Sequence, residues 1–363
     1  MAQLLFAKEY GYDAPLSSQA TIQASNKDFI LVGRVYDDPT KALIIRTHPN
    51  GNIIWKRVFE TNHGIIFESI AQLADGTFVA IGTSFHSEYD KDSFICIVQL
   101  DANGHKRWEA NLGEEKDKNN GVDVTATSDG GFIVIGTIID ERTSQSLAIK
   151  YDKKFNQVWT KALKRGLTHS VKQTKDGGYV LCGASNSTGT LNSNVYVVRL
   201  DSGGNICWEK VYKDRSIYVL IDSDIIEDCC GDLVVAAKTT LMKLDACGNE
   251  IWARQNKDIR LYTLVQMPDC SYAIGGGLVV SSTEHAYLAV VDQDGKNIIF
   301  DNTEIVLPSN ISQLFVNSIG FLTGGVTIDD KMHLITVHSP KSVFNEKPSR
   351  SLSEHLGNSE IKD

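Results

Sequence analysis

The stretch Asn194–Lys210, NVYVVRLDSGGNICWEK, contains the unit from which the fold is read. Val195–Val198 is a run of β-branched and aromatic residues, continued by Arg199 and Leu200. Asp201 closes it, Gly204 turns the chain, and a second short run leads to Trp208. Glycine takes positive φ without steric cost and Asp bonds its own backbone, so this is a strand, a tight turn and a strand. The same spacing, Asp-x-x-Gly-x-x-x-Trp, returns at Asp101/Gly104/Trp108 and Asp245/Gly248/Trp252. It returns with one change at Asp152–Trp159, where Phe155 replaces the glycine, and before Trp55, where His48 replaces the aspartate.

Working outward, all five tryptophans (Trp55, Trp108, Trp159, Trp208, Trp252) occupy this place, and Phe6 and Phe300 extend the series. One large aromatic therefore recurs about every 49 residues at seven places. A second marker keeps phase with it. An apolar run ends in a small residue at Gly33, Gly82, Gly136, Gly183, Ala237, Gly276 and Gly325, after a turn such as Ser128–Gly131 or Lys175–Gly178. The runs are short, and none keeps a helical period. Each repeat thus reads as four antiparallel strands.

One such sheet cannot bury both faces, so the repeats are expected to stack radially. The expectation is an all-β, seven-bladed β-propeller of four-stranded blades, with the recurring aromatic packed between blades. Residues 1–340 form one domain. Residues 3–10, matching Ile206–Tyr212, are expected to complete the last blade and close the ring. Residues 342–346 are the rival strand for that place. Residues 341–363 read as a polar tail, mobile or a docking segment.

The stretches Thr174–Gly183 and Arg199–Lys210 resemble the propeller repeats of bacterial and archaeal proteins with the pattern T-x-DGG-[YF]-x-x-x-G … LDxxGNxxWxK. The resemblance covers roughly residues 1–340 and implies a fold but no particular role. The Asp-x-x-Gly-x-x-x-Trp turn also resembles the tryptophan-docking repeat of quinoprotein propellers, which is one residue longer between Asp and Gly.

Bulk composition narrows the function. The 363 residues carry a formal charge of −9, with 42% hydrophobic and 22% charged residues. An acidic chain without a dominant basic patch argues against direct nucleic-acid binding. No apolar run approaches the ~20 residues of a membrane span. Lys8 and Glu9 interrupt the N-terminal apolar stretch, which therefore does not read as a signal peptide. With seven cysteines, an odd number, a reduced compartment is expected, and the location is expected to be cytoplasmic.

Specific chemistry is sparse. Cys229-Cys230 invites comparison with the vicinal disulfide of quinoprotein dehydrogenases, but it stands where other repeats carry their Asp-Gly-Gly turn, so a turn is the preferred reading. Asp101–Gly104 and Asp292–Gly295 faintly resemble calcium loops but lack the later bidentate Glu, and hairpin turns need the same residues. The nine histidines show no His-x-x-x-His spacing, and Cys-x-x-Cys, P-loop, Gly-x-Ser-x-Gly and dinucleotide fingerprints are absent. No catalytic residue, cofactor or metal ligand is assigned.

Loop variation directs attention to one end of the blades. The turns within a blade are uniform, whereas the second-to-third-strand loops and the inter-blade links vary, and binding usually resides on such loops. An acidic sector is expected from Asp37, Asp38, Glu88, Asp90, Asp92, Glu114, Glu115, Asp117, Asp140 and Glu141. A basic sector is expected from Arg165, Lys213, Arg215, Arg254, Lys257 and Arg260. The leading expectation is a non-catalytic scaffold or accessory subunit that binds another protein on this face. The alternative is an enzyme, or a small-ligand- or glycan-binding propeller, with Gln19, Glu68, Asp123, His169 and Asp222 lining a central channel.

Overall fold

A computed structural model describes residues 4–85, 92–114, 117–139, 144–185, 193–217, 223–280, 283–296, 298–301, 311–316, 322–328 and 330–337. Among them there are strands and no helix. β1 is Leu4–Tyr10. Four strands follow: β2 (Leu16–Gln23), β3 (Phe29–Val35), β4 (Lys41–Thr47) and β5 (Ile53–Phe59). Next come β6 (Ile65–Gln72), β7 (Phe78–Phe85), β8 (Ser93–Leu100) and β9 (Lys106–Leu112), then β10 (Lys118–Ala126), β11 (Phe132–Ile139), β12 (Ser144–Tyr151) and β13 (Gln157–Leu163). The second half holds β14 (Gly166–Gln173), β15 (Tyr179–Ser185), β16 (Ser193–Leu200), β17 (Ile206–Ile217), β18 (Ser223–Glu227), β19 (Leu233–Ala237), β20 (Thr240–Leu244) and β21 (Glu250–Gln255). The last are β22 (Ile259–Gln266), β23 (Tyr272–Val280), β24 (Thr283–Val291), β25 (Ile298–Asp301), β26 (Ile311–Val316), β27 (Leu322–Ile328) and β28 (Lys331–Val337).

Consecutive strands pair antiparallel in four-stranded meanders: β2–β5, β14–β17, β18–β21 and β22–β25. β6–β9 and β10–β13 are two further meanders, joined into one eight-stranded sheet by a single parallel register at Lys118 and Ser93. The remaining sheet runs β1-β28-β27-β26, with Lys8 opposite Leu334 and Tyr10 opposite Met332. The first strands lie against one another in cyclic order: β2 on β6, β6 on β10, β10 on β14, β14 on β18, β18 on β22, β22 on β26, and β26 on β2.

The burial pattern follows from this stacking. The second strands β3, β7, β11, β15, β19 and β23 are covered on both faces over most of their length; Phe29–Leu31 and Phe78–Ile81 are almost completely buried, so these strands read as continuous apolar runs. The fourth strands form the rim and alternate, leaving Ile53, Val158 and Ile251 exposed. Apolar clusters accordingly span neighbouring sheets: Ile30, Val32 and Ile44 of one pack with Phe67, Phe78 and Val98 of the next.

The recurring tryptophan fastens one sheet to the next. The indole N–H of Trp55 donates to the carbonyl of Ala102 at 2.9 Å, that of Trp159 to Ser202 at 3.3 Å and that of Trp208 to Ala246 at 3.1 Å. Each acceptor lies in the following Asp-x-x-Gly turn, whose glycine sits against the ring. In the variant copy Phe155 adopts φ 65°, and its ring packs on Trp108 with centroids 5.0 Å apart. The residue two beyond the tryptophan points the same way. Arg57 donates to Asn103 O at 3.0 Å and Lys210 to Asn249 Oδ1 at 2.9 Å. The side chains of Phe6 and Phe300 and the segments 338–363, with the rival strand and the tail, lie outside the described residues.

Candidate functional site

The first strands converge on a central cavity of about 560 Å³. Their registers slip by one residue where they meet the second strands, at Gln19, Glu68, Val122, His169 and Tyr262. Such a β-bulge re-aims the extra residue, and all five line the cavity. Of the channel residues expected from sequence, Gln19, Glu68, Asp123 and His169 do line it; Asp222 lies outside the described residues. Lys172 and Asp224 line it as well and had not been foreseen.

Ser69, Asp123, Ser170 and Thr263, each the residue after a bulge, form with Asp224 of β18 a chain of hydrogen bonds from sheet to sheet. Ser69 Oγ donates to Asp123 Oδ1 at 2.7 Å, and the N–H of Val171 donates to Asp123 Oδ2 at 3.0 Å. One sheet further on, Ser170 Oγ donates to Asp224 Oδ1 at 2.9 Å, and the N–H of Leu264 donates to Asp224 Oδ2 at 3.1 Å. Each carboxylate also caps the N–H of its own successor, Val124 or Ile225, at 2.9 Å. Hydroxyl and carboxylate thus alternate along the wall as Ser69, Asp123, Ser170, Asp224 and Thr263, and each Asp ties three neighbouring first strands. The signal was present in the sequence: aligning first strands on the small residue of the second strand places these five at one position, each followed by an apolar residue.

Lys172 Nζ stands between the two carboxylates, 3.5 Å from Asp123 Oδ2 and 3.6 Å from Asp224 Oδ1. Its side chain is 35% exposed, toward the cavity. Burial alone would lower the lysine pKa, but the two carboxylates outweigh it and hold the group above the ordinary lysine value. The cavity therefore contains converging carboxylates and a shifted lysine, while the Asp oxygens are engaged in holding strands together.

At the variable end, inter-sheet links meet second-to-third-strand loops: the N–H of Ile65 bonds Thr40 O at 2.9 Å, and that of Val279 bonds Asp258 O at 2.7 Å. Asp37 and Asp38 are exposed in the β3–β4 loop. Asp37 pairs with Lys41 at 3.0 Å, and Lys41 also reaches Glu60 at 3.2 Å. Glu114 is exposed between β9 and β10, with Asp117 beyond it, and Arg165 between β13 and β14 pairs with Glu209 at 3.3 Å. Lys257 is exposed in the turn between β21 and β22.

The other basic residues lie within strands rather than in links. Lys213 and Arg215 belong to β17, where the register jumps from Asn194–Ser216 to Val195–Tyr212 and leaves them in a bulge. Arg260 is half-buried in β22. Arg254 lies in β21, two residues after Trp252, and its Nε donates to Gly295 O at 2.8 Å. It therefore reaches the uniform turn of the next sheet, as Arg57 and Lys210 do, because side chains two apart on a strand share a face. Glu88, Asp90, Glu115, Asp140, Glu141 and the side chain of Arg215 lie outside the described residues.

The smaller motifs are placed as turns. Asp101 Oδ1 accepts the N–H groups of Asn103 and His105, both at 2.9 Å, so its carboxylate is used by its own hairpin. These bonds, first that from His105, hold the Asp101 carboxyl at about 2. Cys229-Cys230 forms the turn between β18 and β19, with the sulfurs 3.7 Å apart.

The chain is similar to the WD40 β-propeller domain of Doa1, with TM-score 0.56 and 12% identity over 95% of this chain and 99% of that one. It is similar to the Dos1 propeller, with TM-score 0.57 and 13% identity over 88% of this chain and 77% of that one. It is also similar to Sqt1 from Chaetomium thermophilum, with TM-score 0.53 and 12% identity over 86% and 80%. The fold is a β-propeller. No family model and no curated protein sequence matches the chain.

Proposed function

We propose that this protein is a non-catalytic scaffold or accessory subunit that holds another protein on the variable-loop end of the propeller. The observation that carries the reading is the engagement of Asp123 and Asp224. The channel carboxylates of Asp123 and Asp224 are spent on strand-to-strand hydrogen bonds, while Asp37, Glu114 and Lys257 stand exposed at the loop end. In the same reading residues 1–340 form one seven-bladed domain of four-stranded blades. The ring is closed by the N-terminal strand, the repeats are of the bacterial and archaeal kind, the location is cytoplasmic, and residues 341–363 serve as a docking segment. Protein neighbours of this fold lend support: BBS1N, similar to this chain with TM-score 0.55 and 11% identity over 92% of this chain and 96% of that one, was solved in complex with ARL6DN.

The test is capture from native extract with the full chain and two charge-reversal variants, Asp37→Lys/Glu114→Lys and Lys257→Glu/Arg260→Glu. A specific partner should be lost from at least one variant. A partner retained by both counts against this end as the binding surface.

A second reading is favoured by one specific observation. The cavity volume falls within the range of small-ligand sites, roughly 300–1,000 Å³, and Glu68, His169 and Tyr262 project from bulges into it. A small polar ligand or glycan bound there should raise the melting temperature, and His169→Ala should abolish the shift. A ligand whose effect survives that change binds elsewhere.

A further inference from the structure

Three cysteines that are far apart in the sequence meet at the uniform-turn end. Cys229 and Cys230 form the turn between β18 and β19, and Cys270 lies in the equivalent turn between β22 and β23 of the next sheet. The sulfur of Cys229 is 2.7 Å from that of Cys270, closer than the 3.7 Å to its sequence neighbour Cys230. All three are free thiols; Cys229 and Cys230 are exposed and Cys270 is partly so. We propose that Cys229 and Cys270 form a reversible disulfide under oxidation, a modification site that staples two neighbouring sheets at their turns.

Several features converge on this pair. The sulfur separation is only about 0.7 Å beyond a formed S–S bond of ~2.05 Å. Cys270 adopts φ 66°, at the turn position filled by Gly130, Gly177 and Gly231 in other repeats. A side chain there is held in the left-handed region, and its sulfur is delivered to Cys229. The Cys229–Cys270 sulfur contact holds the Cys229 pKa below the ordinary thiol value and raises that of Cys270. Cys229 is therefore the thiolate that reacts first. Gln293 Nε2 lies 3.4 Å from the Cys230 sulfur.

The chemistry balances with a peroxide as oxidant. The Cys229 thiolate attacks hydrogen peroxide, forming Cys229–SOH and releasing hydroxide. The Cys270 thiol then attacks the sulfenic sulfur, forms the S–S bond and releases water. Two thiols lose two electrons in total, and the peroxide is reduced to water and hydroxide. A dithiol reductant reverses the step by exchange.

The experiment treats the full chain with low hydrogen peroxide, blocks remaining thiols by alkylation, and maps linked peptides by mass spectrometry. A Cys229–Cys270 cross-link that disappears with dithiothreitol is expected, and it should form at least tenfold faster than any oxidation of the exposed Cys207 or Cys247. Cys230→Ser should retain the cross-link, whereas Cys270→Ser should lose it and leave Cys229 trappable by a sulfenic-acid reagent. A Cys229–Cys230 link in place of the inter-sheet one, or oxidation of Cys207 and Cys247 with Cys229 and Cys270 still alkylated, overturns the proposal. The wild-type mapping needs no variant to fold.

Discussion

The indole N–H of Trp55 donates to the carbonyl of Ala102 across the junction between two sheets, at 2.9 Å. Trp55 is 7% exposed, so the bond and the ring contact form together in a nearly dry site. Trp55→Phe keeps most of the apolar contact and loses the bond, at a cost of about 1 kcal/mol. Trp55→Ala opens a cavity as well and should cost about 3–5 kcal/mol. Denaturant unfolding of the two variants separates these contributions: a Trp55→Phe variant as stable as wild type would argue against the hydrogen bond, and equal losses in the two would argue against the ring contact.

Two glycines with nearly the same backbone test what the tryptophan requires of its turn. Gly204 and Gly177 have φ of +81° and +83°. Alanine at Gly177 meets nothing within 4 Å, so Gly177→Ala should cost only the backbone term of about 1–2 kcal/mol. Alanine at Gly204 would place its Cβ 2.7 Å from Cδ2 of Trp159. Gly204→Ala should therefore cost about 1–3 kcal/mol more, and Trp159→Ala in the same chain should remove the excess.

The Asp123 carboxylate is predicted to be structural. Asp123→Ala leaves the N–H of Val171 and the hydroxyl of Ser69 without this acceptor and removes one of the two charges beside Lys172. A loss of about 3 kcal/mol is expected, with hydrogen-exchange protection falling at Val171 and Val124. If thermal stability is unchanged, the carboxylate is not holding the strands.

The buried Asp228–Lys243 pair should make stability depend on pH at both ends of the scale. Burial pushes the Asp228 pKa up, but Lys243, Tyr272 and the N–H groups of Cys230 and Asp232 overcome it, so the group titrates below the usual Asp value. Its contribution is complete above the unfolded value of about 4 and is lost as pH falls through the lower folded value. Burial likewise pulls Lys243 down, but Asp228, Tyr272 and Asp232 hold it above the usual lysine value. Its contribution is complete below about pH 10 and is lost as pH rises through the folded value. The stability gap between wild type and Asp228→Asn should be flat from about pH 5 to 9 and narrow below about pH 4. A gap that stays constant to pH 2 would rule out this assignment.

The two chain ends should differ sharply in their effect on folding. β1 pairs with β28 along Lys8–Leu334 and Tyr10–Met332, Tyr10 donates to Gly51 O at 2.9 Å, and Lys331 reaches Glu9 at 2.6 Å. Removing residues 1–10 should abolish cooperative unfolding, and removing 341–363 should leave the melting temperature within a few degrees. The reverse result would favour residues 342–346 as the closing strand.

Local chemistry already written in the chain determined the strands, their turns and the repeat. A hairpin turn needs an Asp acceptor and a residue tolerant of positive φ within five positions, and Asp201–Asn205 supplies both. The alternation leading to Trp208 likewise placed the tryptophan on an inter-sheet face. Contacts between residues of different repeats were decided only when the sheets stacked. Bulges at Glu68, Val122 and His169 shift which side chain faces the cavity, and a one-residue slip of this kind leaves no mark on apolar periodicity. The links between Asp123 and Val171, between Arg254 and Gly295, and between Cys229 and Cys270 join different repeats. Each depends on how far one twisted sheet is rotated against the next, a quantity set by packing across the whole interface.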